Sequence, residues 1–223
     1  MPADRSLDRA VMKLYGDVPL PDRLHIWLRL RSCPFEAVAA HVTADGHVLD
    51  VGCGHGAFAM YLGLSSPARS VVGIDVDARK IAIAEKARRG LRDPDAVTLR
   101  VATPDEPLSG SFDTVVIVDV LYLLSPDRQR RVLAQAAAVL KPGGRLVVKE
   151  TALTPSWKYR LTALQEDAMV RVLRVTKGDR RSFAPPEQIV GSMRDAGLEV
   201  VEIPLARGHV HPHHLMVGTA SGR

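Results

Sequence analysis

One stretch constrains the fold more than any other: Val48-Leu49-Asp50-Val51-Gly52-Cys53-Gly54-His55-Gly56-Ala57-Phe58. A buried-strand pattern carries an acid near its end, three alternate glycines follow, and a helical pattern begins. Glycine lets the backbone approach a ligand where any Cβ would clash, and the N–H groups at a helix start favour an electron-rich partner. A G-x-G-x-G after a strand fits a nucleotide-binding, doubly wound α/β fold. A tight turn without a ligand is the alternative, and the carboxyl of Asp50 ahead of the glycines argues against it.

The remaining sequence repeats this alternation. β-branched runs at His47 to Val51, Ser70 to Asp75, Val97 to Val101, Thr114 to Asp119 and Arg145 to Lys149 imply a parallel sheet. Helical stretches follow the first, second and fourth of them, at Phe58 to Leu64, Ala78 to Arg89 and Pro126 to Leu140. The last is well punctuated, with Ser125 as N-cap, Pro126 at the first helical position, Asp127 in the first turn and Gly143-Gly144 at the end. Residues 1–46 read as an N-terminal helical cap of two helices broken at Pro19, Pro21 and Pro34, with Leu24, Trp27, Leu28 and Val38 as apolar contacts. Residues 47–223 form the main domain, with a helical lid inserted at about 155–185. Beyond it, Glu187 to Asp195 reads as a helix, and Leu198 to Ile203 and His213 to Thr219 as an antiparallel pair at the sheet edge.

Composition removes several classes of function. Cys33 and Cys53 are too few for a disulfide framework and read as reduced thiols of a cytoplasmic protein. The start, MPADRSLDRA, has no apolar h-region, and the longest apolar run, Thr114 to Leu124, is interrupted by Asp119, so neither secretion nor a membrane span is expected. The net charge of +5 invites a nucleic-acid partner, but aromatic residues make up only 4% and are scattered, which leaves no stacking platform. The excess is also local: Lys158 to Arg181 holds seven bases and three acids. That segment reads as a lid that favours an apolar acceptor with an anionic group, or as a peripheral membrane contact; a solvated basic helix is the plainer alternative.

The second strand, Val71-Val72-Gly73-Ile74-Asp75-Val76-Asp77, ends in an acid 25 residues after Asp50. An acid there can accept both hydrogen bonds of a ribose diol, while Asp77 suits the cap of the next helix. With these two motifs, FDTVVIVDVLYLL and LKPGGRLVVKE complete a series that resembles the class I S-adenosylmethionine-dependent methyltransferases, in order and spacing, over roughly residues 47–150. Nicotinamide dehydrogenases are the other reading, but their G-x-G-x-x-G places the third glycine one residue later than Gly56.

The resemblance implies a Rossmann-like seven-stranded sheet in the order 3-2-1-4-5-7-6, the seventh strand antiparallel, and S-adenosyl-L-methionine as cofactor. It assigns Asp50 and the loop of Gly52, Cys53, Gly54 and Gly56 to the methionine portion, Asp75 to the ribose and Val76 to the adenine. The acid that often follows the third strand in this family is missing from Val101-Ala102-Thr103-Pro104, so Thr103 or Asp105 is the candidate to take its place. Asp119 and Val120, with Leu121 and Tyr122, are assigned to the methionine side and the acceptor entrance, and LKPGG to a structural turn.

Neither an Asn-Pro-Pro-Tyr or Asp-Pro-Pro-Tyr motif after the fourth strand nor a Pro-Cys pair is present, so a small organic acceptor is expected, methylated on oxygen ahead of nitrogen or carbon. The rivals are an RNA or protein methyltransferase, suggested by the basic balance, and a non-catalytic cofactor-binding regulator, suggested by the missing acid. Position nominates Tyr122, Glu150, His25 and His209 as catalytic residues, with Tyr15 also in the cap. His209, His211 and His213 would share one face of a strand, but Pro212 interrupts it and no acid or cysteine completes a set, so no metal site is assigned. A monomer or homodimer is expected.

Overall fold

The structure is a computed structural model that describes residues 5–103, 106–151, 184–205 and 213–222. Three helices, α1 (Ser6–Leu14), α2 (Leu20–Ser32) and α3 (Phe35–Ala39), precede the first strand, one more than the prolines predict. The alternating core follows as β1 (Gly46–Val51), α4 (Ala57–Ser65), β2 (Arg69–Asp75), α5 (Ala78–Arg88), β3 (Val97–Val101), β4 (Phe112–Val118), α6 (Pro126–Ala138) and β5 (Leu140–Thr151). It closes with α7 (Pro186–Asp195), β6 (Leu198–Pro204) and β7 (His213–Ala220). Residues 155–183 of the expected lid, with Asp105 and His209, lie outside the described residues.

The seven strands form one sheet in the order β3-β2-β1-β4-β5-β7-β6, as expected. The first five are parallel, and β7 runs antiparallel to both β5 and β6. Alternate residues feed two cores on opposite faces, because side chains along a strand point to opposite sides. Val48, Val116, Val118 and Val147 join the helices α1 to α5 on one face, whereas Leu49, Val115, Ile117, Leu146 and Val148 join α6 and α7 on the other. The N-terminal helices therefore share a core with the sheet: Val11, Tyr15, Ile26, Phe35 and Val38 are buried in it.

Three local readings are corrected. In α2 the apolar residues Leu24, Trp27 and Leu28 face solvent, while Asp22, Ile26 and Leu30 are buried and only Val38, in α3, packs as expected. The helix turns its charged face inward because Asp22 and Arg29 find partners there. Helix α6 stops at Ala138 instead of Gly143-Gly144, and Ser125 makes no side-chain cap bond. Leu140 already pairs with Phe112, and Lys141 to Gly144 bulge out before Arg145 resumes pairing at Thr114. Gly144 sits in that bulge because a Cβ there would stand 2.8 Å from the Lys141 carbonyl oxygen.

Candidate functional site

The carboxyl ends of β1, β2 and β4 open onto a cavity of about 670 Å³, within the usual range for small-molecule sites. Its floor is the glycine loop between β1 and α4. The N–H groups of Gly52 and Cys53 donate to the Ile74 carbonyl at 2.8 and 3.0 Å, which ties the loop to β2. Gly52 and Gly56 both have φ +75°, and a Cβ would meet the Val120 side chain at 2.5 Å or the Ala84 methyl at 2.9 Å. Glycine is thus required by conformation and by space.

Three carboxylates end the strands, each in a different state. Asp50 is 2% exposed, and its Oδ2 has no hydrogen-bond partner among the described residues. Burial, opposed by Arg29 and reinforced by the charge of Asp75, pushes its carboxyl up to about 7. A buried carboxylate oxygen with no protein donor beside a cavity suits a cationic group of a ligand. Asp75 is already engaged: its Oδ2 accepts from the Gly54 N–H and its Oδ1 from the Asp77 N–H, both at 2.8 Å. As expected, Asp77 and not Asp75 caps α5, accepting from the Arg79 and Lys80 N–H groups.

Asp119 is the third. It holds φ +54°, the left-handed region that a non-glycine residue enters only when its surroundings enforce it. The enforcement is electrostatic. Arg29 Nη1 donates to Oδ2 at 2.6 Å, and Lys149 Nζ reaches both oxygens at 2.7 and 2.8 Å. Arg29 also donates to the Val118 carbonyl at 2.8 Å, so α2 is fastened to the end of β4. Lys149 is 1% exposed and its charge is met by this carboxylate.

Helix α2 contributes more than the sequence suggested. Its inward residues His25, Ile26 and Arg29 line the cavity. Asp22 accepts from Arg79 at 2.6 Å and meets His55 Nε2 of the glycine loop at 3.2 Å. Burial would raise the Asp22 carboxyl, but these hydrogen bonds hold it below its ordinary value. Tyr15 donates to the His55 carbonyl at 2.6 Å. Two N-terminal helices therefore position the middle of the glycine loop. The His25 ring lies 5.3 Å from that of His55, and burial with nearby positive charge drops the His25 pKa to about 4, so its imidazole is neutral at pH 7. The signal in the sequence was the i, i+3, i+4, i+7 spacing of Asp22, His25, Ile26 and Arg29.

Of the residues nominated from sequence, Asp50, Gly52, Cys53, Gly54, Asp75, Val76, Thr103, Asp119, Val120, Tyr122 and His25 line this one cavity. Gly56 stands behind it, and Tyr15 is fully buried outside it. Glu150 also lies outside the lining: its Oε1 accepts from the Val120 and Leu121 N–H groups at 3.0 and 2.8 Å, capping the turn after β4. Burial and the charge of Asp119 push the Glu150 carboxyl up. Near Thr103, Glu106 lines the cavity and accepts from the Thr103 N–H at 3.1 Å, an acid that sequence reasoning passed over. Among the described residues no three His, Cys, Asp or Glu side chains are grouped to hold a metal ion.

The site has the groups that an adenosyl amino acid needs. A buried orphan carboxylate oxygen for an ammonium, a guanidinium in the same cavity for a carboxylate, and an acid at the end of β2 for a ribose diol are all present.

A family model described as "Methyltransferase domain" matches residues 49–146. The ubiquinone biosynthesis O-methyltransferase of Pseudomonas paraeruginosa is 30% identical over 159 residues, 70% of this chain and 66% of that protein. The demethylmenaquinone methyltransferase of Tropheryma whipplei is 39% identical over 110 residues, 49% of this chain and 43% of that protein. The chain thus spans no more than about two thirds of the length of these relatives. Among solved structures, an O-methyltransferase family protein from Burkholderia thailandensis aligns with TM-score 0.71 at 21% identity, over 94% of this chain and 62% of that one. The magnesium protoporphyrin IX methyltransferase of Synechocystis PCC 6803, with bound SAH, aligns with TM-score 0.67 at 20% identity, over 97% and 96% of the two chains. At such identities the structural likeness speaks to the fold.

Proposed function

Because the chain belongs to the class I S-adenosylmethionine-dependent methyltransferases, we propose that it transfers a methyl group to an oxygen of a small organic acceptor. The observation that carries this reading is the orphaned Oδ2 of Asp50 in the same cavity as Arg29: together they match the two charges of an amino-acid head. S-adenosylmethionine, when bound, supplies an electrophilic methyl on a sulfonium. Asp50 and Arg29 would hold the amino and carboxylate ends of its methionine, with the Gly52 to Gly56 loop, and Asp75 would take the ribose hydroxyls. Val76, Thr103 and Glu106, in the same lining, would meet the adenine.

The protein's remaining tasks are to position an acceptor atom, exclude water and accept a proton. Helices α2 and α3 act as the cap over the cavity, and α2 brings His25 into it. His25 is neutral at physiological pH, so its imidazole can receive the proton of an acceptor hydroxyl; Tyr122, in the same lining, orients it. Glu150 holds the turn that carries Val120 and Leu121, and is a positioning residue. O-methylation is favoured over other acceptor atoms by the names of the curated relatives. Two curated relatives are named for ubiquinone and demethylmenaquinone, and this supports a hydroxylated ring with an apolar tail as acceptor.

Isothermal titration with S-adenosylhomocysteine, followed by transfer of labelled methyl to a panel of phenolic acceptors and to bulk RNA, tests the reading. Binding with transfer to phenols is expected. Absence of binding overturns the whole assignment, and transfer to RNA alone overturns the acceptor class.

A further inference from the structure

Helix α2 has two working faces. Inward, His25, Ile26 and Arg29 line the cavity. Outward, Leu20, Leu24, Trp27 and Leu28 are 76%, 49%, 42% and 37% exposed, four of the seven large apolar side chains that are exposed among the described residues. Their spacing of i, i+4, i+7, i+8 confines them to an arc of about 100° on a helix of 3.6 residues per turn. An apolar stripe of this kind on the solvent side of a short helix has no folding role, since burial on the other face already docks the helix.

The charge beside the stripe is one-sided. A groove of about 440 Å³ between α1 and α2 is floored by Met12, Leu30 and Trp27. Arg5, Arg9, Lys13, Arg23 and Arg31 rim it, against the single acid Asp8. The Arg31 guanidinium carbon stands 5.3 Å from the centre of the Trp27 ring, so cation and aromatic face are presented together. Leucines and a tryptophan flanked by arginine and lysine are the composition of a helix that lies in the interface of an anionic bilayer.

We propose that the outer face of α2, with the basic groove it forms with α1, docks this protein on the surface of an anionic lipid bilayer. The phosphates of the headgroups meet the five bases, and Leu20, Leu24, Trp27 and Leu28 enter the headgroup and acyl boundary. The cavity then lies one helix diameter, about 10 Å, from the lipid. An acceptor with an apolar tail passes from the bilayer to His25 along the helix that divides them; this consequence, unlike the docking surface itself, rests on the proposed methyl transfer.

The experiment is co-sedimentation of the full chain with vesicles of phosphatidylcholine alone and with one fifth phosphatidylglycerol, at low and at 0.5 M salt. Binding to the anionic vesicles only, weakened by salt, is expected. Leu24→Ser with Trp27→Ser, and separately Arg9→Glu with Lys13→Glu, should each lower the partition coefficient at least about tenfold. S-adenosylhomocysteine affinity and the melting temperature should stay unchanged in both, which separates this proposal from the methyltransferase reading. No binding by the wild type overturns the proposal. Binding that neither pair alters also overturns it, by placing the contact elsewhere, in the basic segment 158–181 for example. Sedimentation velocity covers the remaining case: self-association abolished by Leu24→Ser and Trp27→Ser, without vesicle binding, assigns the face to a second copy and overturns it equally.

Discussion

Asp50→Asn should make the protein more stable and worse at its task. In the folded chain the Asp50 carboxyl lies at about 7 instead of 3.8, chiefly through burial. Between those pH values the folded state holds a proton that the unfolded state has released, so stability falls as pH rises through this window. Above pH 7 the full penalty is present, on the order of 4 kcal/mol for a group that stays ionised. Asparagine removes the charge but leaves an amide with unmet hydrogen bonds, which returns roughly 1–3 kcal/mol of the gain. At pH 8 the unliganded variant should therefore melt a few degrees above wild type, and near pH 4, where only the cost of the amide remains, it should melt below wild type.

Ligand binding has the opposite dependence. An ammonium docked on Asp50 requires the ionised form, so wild-type affinity for S-adenosylhomocysteine should rise about 25-fold from pH 5.5 to 7.5 as a group titrating near 7 loses its proton. Calorimetry in buffers of different ionisation enthalpy should show proton release on binding below pH 7. In Asp50→Asn the affinity should be low and independent of pH, which assigns the titration to Asp50 and not to Glu150. A wild-type affinity flat over this range, or an asparagine variant that binds as well at pH 7.5, would refute the reasoning.

Other substitutions test the parts separately. Gly56→Ala places a Cβ 2.9 Å from the Ala84 methyl at φ +75°, and should cost about 2–4 kcal/mol, read as a fall in melting temperature of several degrees. Lys149→Met removes the ammonium that reaches both oxygens of Asp119 and should destabilise by roughly 3–5 kcal/mol; chemical denaturation showing less than about 1 kcal/mol would mean that the strained Asp119 does not depend on Lys149. Asp75→Ala should weaken S-adenosylhomocysteine by one to a few kcal/mol, and an unchanged dissociation constant would place the ribose elsewhere. His25→Gln should lower kcat about 10²-fold or more while that dissociation constant holds, and the wild-type rate should be free of a limb from this group above about pH 5, since its imidazole deprotonates near 4. A kcat that survives would pass the proton to another group.

Much of the frame was legible in the chain. Unbroken runs of valine and isoleucine announce strands buried on both faces, and the alternate glycines after β1 announce a loop that a backbone with Cβ atoms cannot follow. The acid at the end of β2 was legible for the same reason: strand ends and their spacing are local properties. The limits of α6 and β5 were not, because pairing of Leu140 with Phe112 draws strand out of residues whose local pattern continues the helix. Helix α2 was misread for a related cause. Its leucines and tryptophan have the composition of a core face, yet the stronger partners for that helix are charged groups 57 to 90 positions away, Arg79 and Asp119.

The sequence by itself determined the doubly wound class and the glycine loop with Asp50 and Asp75, which follow from steric and hydrogen-bonding rules that act over a few neighbouring residues. The strand order came only through its resemblance to a known family. Only the tertiary structure decided the state of the charges. It leaves the Oδ2 of Asp50 without a hydrogen-bond partner among the described residues and locks Asp119 between Arg29 and Lys149. It turns Glu150 onto backbone N–H groups, and it sets a neutral His25 in the cavity. Whether a carboxylate waits for a ligand or is already satisfied depends on burial and on charges brought in from distant segments, and neither quantity exists until the chain has folded.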